Sequence, residues 1–360
     1  MDVLRGLRKL EERLDFNSER RERIYRKLAA YLRSGVKLID ALDMLYRHQT
    51  VDGRRVKSPT ARIIAEWRRK VANGQNFGDA IAGYVPSGEA VLIRAGDEAG
   101  RLDVALEDAI AISRARKKMV GAVVGGLAYP LLLLVLVFGF FSIFVFMVIP
   151  AFSEVYPREK WDGYPAIMAD VADGMVAYGP WSLGAVIIAL GLALSSLPWW
   201  VSPLRVQLER FPPWSVYKTL EGAGFLLSLS ALIKAGVKLP DALRMMASNG
   251  SIWLRHRVMA AHRHVQNGLA LGDALHRTRL RFPNEELVLD LRTYSNMDDF
   301  DVVLEKIAKE WIEQSLERIK KAFDGIRNGL LVLFGLMFML IASGIFMMQD
   351  MITTGVSQGL

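Results

Sequence analysis

Three long uncharged stretches interrupt a chain that is otherwise amphipathic. They run from Val120 to Ile149, from Gly174 to Trp200 and from Gly329 to Met348. About twenty helical residues cross a bilayer core, so each stretch predicts a transmembrane helix. Outside them the apolar positions recur at three and four. "ERIYRKLAAYLRSG" sets Ile24, Leu28, Tyr31 and Leu32 on one stripe, and Gly35 follows as a C-terminal stop. No segment alternates as a strand would. The pattern predicts an all-α membrane protein.

The amphipathic parts occur twice. "GVKLIDAL" at 35–42 returns as "GVKLPDAL" at 236–243, and "VANGQNFGDAI" at 71–81 as "VQNGLALGDAL" at 265–275. "YVPSGEAVL" at 84–92 then meets "RFPNEELVL" at 281–289, and "LDVAL" at 102–106 meets "FDVVL" at 300–304. The offset drifts only from 201 through 194 to 198, which predicts two copies of one bundle of five or six helices, each followed by an exiting span. Ile39 becomes Pro240, and proline is tolerated in a first helical turn but not in a helix interior. A helix therefore starts there after Gly35 and Gly236, with Leu38, Ala41 and Leu42 inward and Asp40 or Asp241 facing the positive end of the helix dipole. Gly78–Asp79 and Gly272–Asp273 read as a second turn-to-helix entry of the same kind.

Charge orients the spans. The +8 net charge divides into +8 for 1–119, +4 for 201–328 and −4 for the rest. Arg114, Arg116, Lys117 and Lys118 lead into the first span, Arg205 and Arg210 follow the second, and Arg318, Lys320, Lys321 and Arg327 lead into the third. The bias toward cytoplasmic Lys and Arg then gives the following order. Residues 1–119 form cytoplasmic bundle 1, 120–149 span one, 150–173 a periplasmic loop, 174–200 span two, 201–328 cytoplasmic bundle 2, 329–348 span three and 349–360 a periplasmic tail. Parallel repeats need an even number of crossings between them, and spans one and two supply it. "MDVLRGLRKLEERLDF" mixes both charges without an apolar core, so it is not a secretory signal. The basic excess suits anionic membrane lipid and acidic partners rather than nucleic acid, since no aromatic-interleaved basic motif is present.

Little in the sequence suggests catalysis. No phosphate-cradling glycine motif is visible, cysteine is absent, and the spans hold no ionisable side chain, which weighs against a transporter or channel subunit, the alternative reading. No cofactor or metal is expected. His256, His262 and His264 lie among Arg255, Arg257 and Arg263 and read as a solvated basic face, and Asp298, Asp299 and Asp301 read as a helix entry. The outer acidic residues Glu154, Glu159, Asp162, Asp170 and Asp173 read as a hydrated loop rather than an enzyme site. Tyr129 and Pro130 suggest a bend in the first span, and Gly121 and Gly125 have the spacing of a close helix contact.

"AGDEAGRLDVALEDAIAISRARKKMVGAVVGGLAYPLLLL" at 95–134 combines a turn built on Gly96, Asp97, Glu98 and Gly100 with a basic helix and a Tyr-Pro that opens a span. Taken with the duplication and three spans, it resembles the inner-membrane platform family of type IV pilus and type II secretion machines, the GspF/PilC family, over nearly the whole chain. The resemblance implies an oligomeric, non-enzymatic scaffold. Its implied partners are a cytoplasmic hexameric assembly ATPase, pilin or pseudopilin subunits and inner-membrane alignment proteins, with the first cytoplasmic domain as the ATPase contact. "TYSNMDDFD" in the second copy departs from the turn and puts an equal role for that domain in doubt. The short chain resembles the type IVb and plasmid thin-pilus members of the family.

Overall fold

The computed structural model describes residues 16–50, 58–155, 157–295 and 300–357. The sequence expectations for 1–15, for Asp298 and Asp299, and for the last three residues of the tail lie outside them. Among the described residues the only bridge is Ala82 to Val85, and the rest of the regular structure is helical.

The first copy comprises α1 (Ser18–Arg33), α2 (Leu38–Thr50), α3 (Pro59–Ala72), α4 (Phe77–Ile81), α5 (Ser87–Glu98) and the start of α6 (Leu102–Ile143). A π-helical turn, Phe144–Val148, and α7 (Ile149–Val155) continue α6, and α8 spans Tyr164–Ser196. The short α9 (Pro203–Leu208) leads into the second copy: α10 (Trp214–Lys234), α11 (Leu239–Asn249), α12 (Ile252–Gln266), α13 (Leu271–Arg277), α14 (Glu285–Tyr294) and α15 (Phe300–Ser357). The two copies thus match helix for helix.

The repeated letters have local causes. Gly35 and Gly236 take φ of +82° and +87°, and Gly74 and Gly268 take +81° and +85°, so each closes a helix with the left-handed residue that a side chain disfavours. Pro240 sits in the first turn of α11, and Asp40 and Asp241 fall in the first turns of α2 and α11. Ala41 and Leu42 are buried and Leu38 is half-buried. On α1 the buried stripe is Ile24, Tyr25, Leu28 and Ala29, while Tyr31 and Leu32 are half-buried.

The chain forms two compact units, one drawn from 1–120 and 196–315, the other from 121–195 and 316–360. The first holds both helical bundles. Trp67 is its fully buried centre in the first copy, edge-on to Phe16 at 5.4 Å and to Phe77 at 5.7 Å. Trp253 holds the same role in the second, against Tyr217 at 5.3 Å and Phe282 at 5.5 Å.

The second unit packs Phe141, Phe144, Val145, Ile149, Trp161, Met168 and Ile341 into one cluster, and most other apolar side chains of its helices face outward. Outward apolar faces mark helices whose solvent is lipid. Leu102–Glu154 and Val302–Met347 are each long and apolar enough to cross a membrane, and Tyr164–Ser196 qualifies as a pair bent by 52° between Gly179 and Trp181. Trp214–Lys234 also qualifies by composition, but half of its apolar window is buried among the bundles, so its hydrophobicity fills a core. Three candidate membrane helices remain among the described residues.

One expectation for the first span is corrected. Helix α6 passes through Pro130 unbroken, and the irregular turn lies further on at Phe144–Val148. Pro130 is buried and Tyr129 exposed. The close-contact glycine is neither Gly121 nor Gly125, at which a Cβ would meet nothing, but Gly126, where it would overlap the Phe323 ring. One residue moves a side chain about 100° around a helix, enough to change the facing neighbour.

Candidate functional site: the paired repeats and the cleft between them

The Gly-Asp of each repeat builds a joint between two helices. Gly78 in α4 lies against α5 so tightly that a Cβ would overlap Arg94, and Gly272 in α13 lies as tightly against the Arg292 backbone of α14. The next residue pairs with the same arginine: Asp79 Oδ1 is 3.2 Å from Arg94 Nη1, and Asp273 Oδ1 is 2.8 Å from Arg292 Nε. The arginines were missed in the sequence because the strings at 84–92 and 281–289 align one residue out of register. Leu92 and Leu289 match by letter, yet Leu92 is 2% exposed and Leu289 54%. In the helices the offset is 198, which brings Arg94 onto Arg292 and Asp97 onto Ser295.

The family-like turn is a set of packing devices. The Asp97 carboxylate accepts from the Phe77 N–H at 2.8 Å, capping α4, while Asn76 accepts from Gly78 N–H at 2.9 Å. In the second copy Ala270 replaces Asn76, and Ser295 Oγ accepts from Gly272 N–H at 3.0 Å. The degenerate turn therefore keeps its cap with a hydroxyl in place of a carboxylate. A Cβ on Gly96 would overlap Ala105, Gly100 takes φ +67°, and Glu98 pairs with Arg94 at 3.0 Å on the surface.

Ion pairs join α1 to the exiting helix α6. Glu22 binds Arg114 through bonds of 2.9 and 2.6 Å, Glu19 binds Lys117, and Arg33 lies 2.7 Å from Glu107. The hydrogen bond from Arg114, opposed by partial burial, holds the Glu22 carboxyl below its usual range. Glu89 behaves in the opposite way. Burial pushes its carboxyl up, against a two-point contact with Arg21 (both 3.2 Å) and a bond from Tyr25 Oη at 3.2 Å.

Glu89 borders a cleft of about 640 Å³ between the two repeats. Apolar side chains including Leu92, Met119, Leu220, Leu227, Met245 and Met246 form its walls, and Arg21, Glu89, Arg116 and Glu221 supply charge. Polar ties bridge the copies around it. Ser87 Oγ donates to Asn249 O at 3.1 Å, Arg101 Nη1 donates to Lys234 O at 3.1 Å, and Lys234 Nζ, paired within its own copy to Glu305 Oε2 at 3.3 Å, lies 4.0 Å from Asp108 Oδ1 of the other.

The solvated-face expectation for the basic helix fails for two of its members. Arg257 and His262 are buried, His264 is half-buried and His256 lies at the surface. Arg257 Nη2 donates to Glu209 Oε1 at 2.5 Å and its guanidinium stacks 3.9 Å from the Trp253 ring. Arg205 and Lys218 approach the same carboxylate at 3.7 and 3.9 Å. Burial, with a smaller repulsion from Arg205, pushes Arg257 down to about 10 against the attraction of Glu209. Helical periodicity alone could have flagged Arg257, since Trp253, Arg257, Ala260 and Ala261 share one face. Among the described residues no three His, Asp or Glu converge as a metal site.

The model of the family described as type II secretion system (T2SS), protein F, matches residues 24–150 and 225–348, one segment in each copy and together more than half of the chain. The chain belongs to that family. Family members similar to it along much of its length include the toxin coregulated pilus biosynthesis protein E of Vibrio cholerae, 20% identical over 92% of this chain and 96% of that protein. The type 4 fimbrial assembly protein PilC of Pseudomonas putida is 25% identical over 87% of the chain and 78% of its own length. The type II secretion system protein F of Vibrio cholerae is 22% identical over 72% and 64%. The family is one of structural platform proteins rather than a known enzyme family.

Proposed function

We propose that this chain is the inner-membrane platform of a type IV pilus or type II secretion machine. It docks the cytoplasmic hexameric assembly ATPase and couples that motor's motion to pilin or pseudopilin polymerisation, with inner-membrane alignment proteins as neighbours and without chemistry of its own. The observation that carries the reading is the two-segment family match together with end-to-end similarity to a pilus biosynthesis protein. Residues 1–119 and 201–328 face the cytoplasm and 150–173 and 349–360 the periplasm, a reading supported by the Lys and Arg beside the spans. Bundle 1 is the ATPase contact. Its ion-paired α1 and α6 give that contact a route into span one, because α6 is itself the span.

The test is binding of full-length chain in lipid nanodiscs to the assembly ATPase of the same host, with ATP turnover read in the same titration. Binding that changes turnover is expected, and it should be lost on Leu42→Asp, which puts a charge into the core of bundle 1. Normal pilus or secretion output from a variant shown to have lost that bundle would overturn the reading.

A further inference from the structure

The segment between α8 and α10 is folded inside out. Two of its three charged residues point inward: Arg205 is fully buried and Glu209, joined to Arg257, is 3% exposed, with Trp214 and Trp253 at 5.8 and 5.9 Å from the Arg205 guanidinium, while Arg210 is exposed. Three of its large apolar residues point outward, with Trp199 68% exposed, Leu204 63% and Phe211 62%, while Trp200, Val206 and Leu208 are half-buried. In water a short helix with this pattern would turn over, burying Leu204 and releasing Arg205. Here it cannot, because Arg205 and Glu209 belong to the charge cluster of bundle 2, and Trp253 N–H ties the segment down by donating to Pro198 O at 3.0 Å.

Three observations identify what covers the apolar side. Trp199 lies three residues after the end of α8, whose own outward residues Ile187, Leu190 and Leu194 are apolar and exposed. The exposed set includes a tryptophan and a phenylalanine beside an exposed Arg210, the composition that settles at the level of lipid head groups. The backbone is also largely satisfied internally: Trp200 N–H bonds to Ser196 O, Leu204 N–H to Ser202 Oγ, Arg205 N–H to Ser202 O and Phe211 N–H to Leu208 O. A segment entering the edge of a bilayer needs such pairing.

We propose that residues 199–211 form an interfacial foot that seats Trp199, Leu204 and Phe211 in the boundary between acyl chains and head groups of a phospholipid bilayer. Its inward charge cluster fixes bundle 2 to that plane. The foot makes α9 a membrane-contacting element that does not span, and it gives the second repeat a membrane attachment that the first lacks among the described residues.

The absence of cysteine allows a direct test. Single variants Leu204→Cys, Phe211→Cys and Arg47→Cys, the last on the exposed face of α2, are nitroxide-labelled in the full chain reconstituted into phosphatidylcholine–phosphatidylglycerol vesicles. The ratio of collisions with oxygen to collisions with a water-soluble nickel chelate is expected to be several-fold higher at 204 and 211 than at 47. Equal ratios would overturn the proposal by placing the foot in water. Shielding from both reagents would also overturn it, by placing the foot against protein. A Leu204→Asp/Phe211→Asp variant should keep its helical circular dichroism, since both side chains are exposed, yet raise chelate access several-fold at a label on Trp199→Cys. Unchanged access would count against lipid contact.

Discussion

Gly78 meets Arg94 with no room for a methyl group: a Cβ would overlap the arginine side chain and stand 2.6 Å from the Ala90 carbonyl oxygen. Gly78→Ala should therefore cost about 1–3 kcal/mol, the range for overpacking a closed contact. Gly88, the second residue of α5 with open space at its Cβ, should accept alanine with a change of no more than about 1 kcal/mol and in the stabilising direction. Denaturant melts of the two variants in the same detergent compare them directly. Equal stability would mean that the joint is looser than described.

Glu209 contacts three buried or half-buried cations, Arg205, Lys218 and Arg257. Removing one partner of a buried pair leaves charge uncompensated, so Glu209→Ala should cost about 3–5 kcal/mol. The double variant Glu209→Leu/Arg257→Met should lose less than Glu209→Ala alone. Thermal melts of the single and double variants separate electrostatic loss from simple loss of packing.

The Asp97 cap should be worth about 1 kcal/mol, the usual value for such a bond to an orphan helix N–H. Asp97→Ala should speed hydrogen exchange at Phe77, and Ser295→Ala should do the same at Gly272 while leaving Phe77 unchanged. Exchange measured by mass spectrometry reads both sites in one experiment.

These three features were not equally legible. The glycines, the proline and the heptad-like stripes announce themselves by residue type, so two helical bundles and apolar spans can be read from the letters. The Gly-Asp pairs were visible too, but as turns, because their partner arginines lie sixteen and twenty residues away in a helix whose register slips by one between the copies. Arg257 and His262 were hidden for a different reason. Charged residues are read as solvated by default; the periodicity of α12 sets Arg257 on the Trp253 face, but its partner Glu209 is supplied by the packing of α9 against α12. Gly126 illustrates the same point in lipid, where spacing marks a small-residue stripe but the neighbouring helix selects which glycine is used.

Glu22 and Glu89 should give bundle 1 opposite responses to acid. The folded pKa of Glu22 is lowered, so its contribution is present above the ordinary value near 4.5 and is lost as pH falls through the folded value. That of Glu89 is raised, so the folded state holds its proton first and this carboxyl's contribution falls as pH rises through the folded value. Between neutral pH and about 4.5, the wild type should gain on Glu89→Gln as the pH is lowered. Below that range it should lose its advantage over Glu22→Gln. Melting temperatures of the three proteins across pH 3–8 test both slopes.

The ties between the two repeats join residues far apart in the order of synthesis. Ser87 waits 162 residues for Asn249, and Arg101 waits 133 for Lys234, with the whole of α8 made in between. At about 5–20 residues per second, a ribosome leaves the first bundle without its counterpart for roughly seven to thirty seconds. During that interval the wall formed by Leu92 and Met119 stands open to water, next to a nascent apolar helix seeking the bilayer. The ion pairs that close α1 onto α6 need nothing beyond residue 117, so the early half can complete its own fold before the late half arrives.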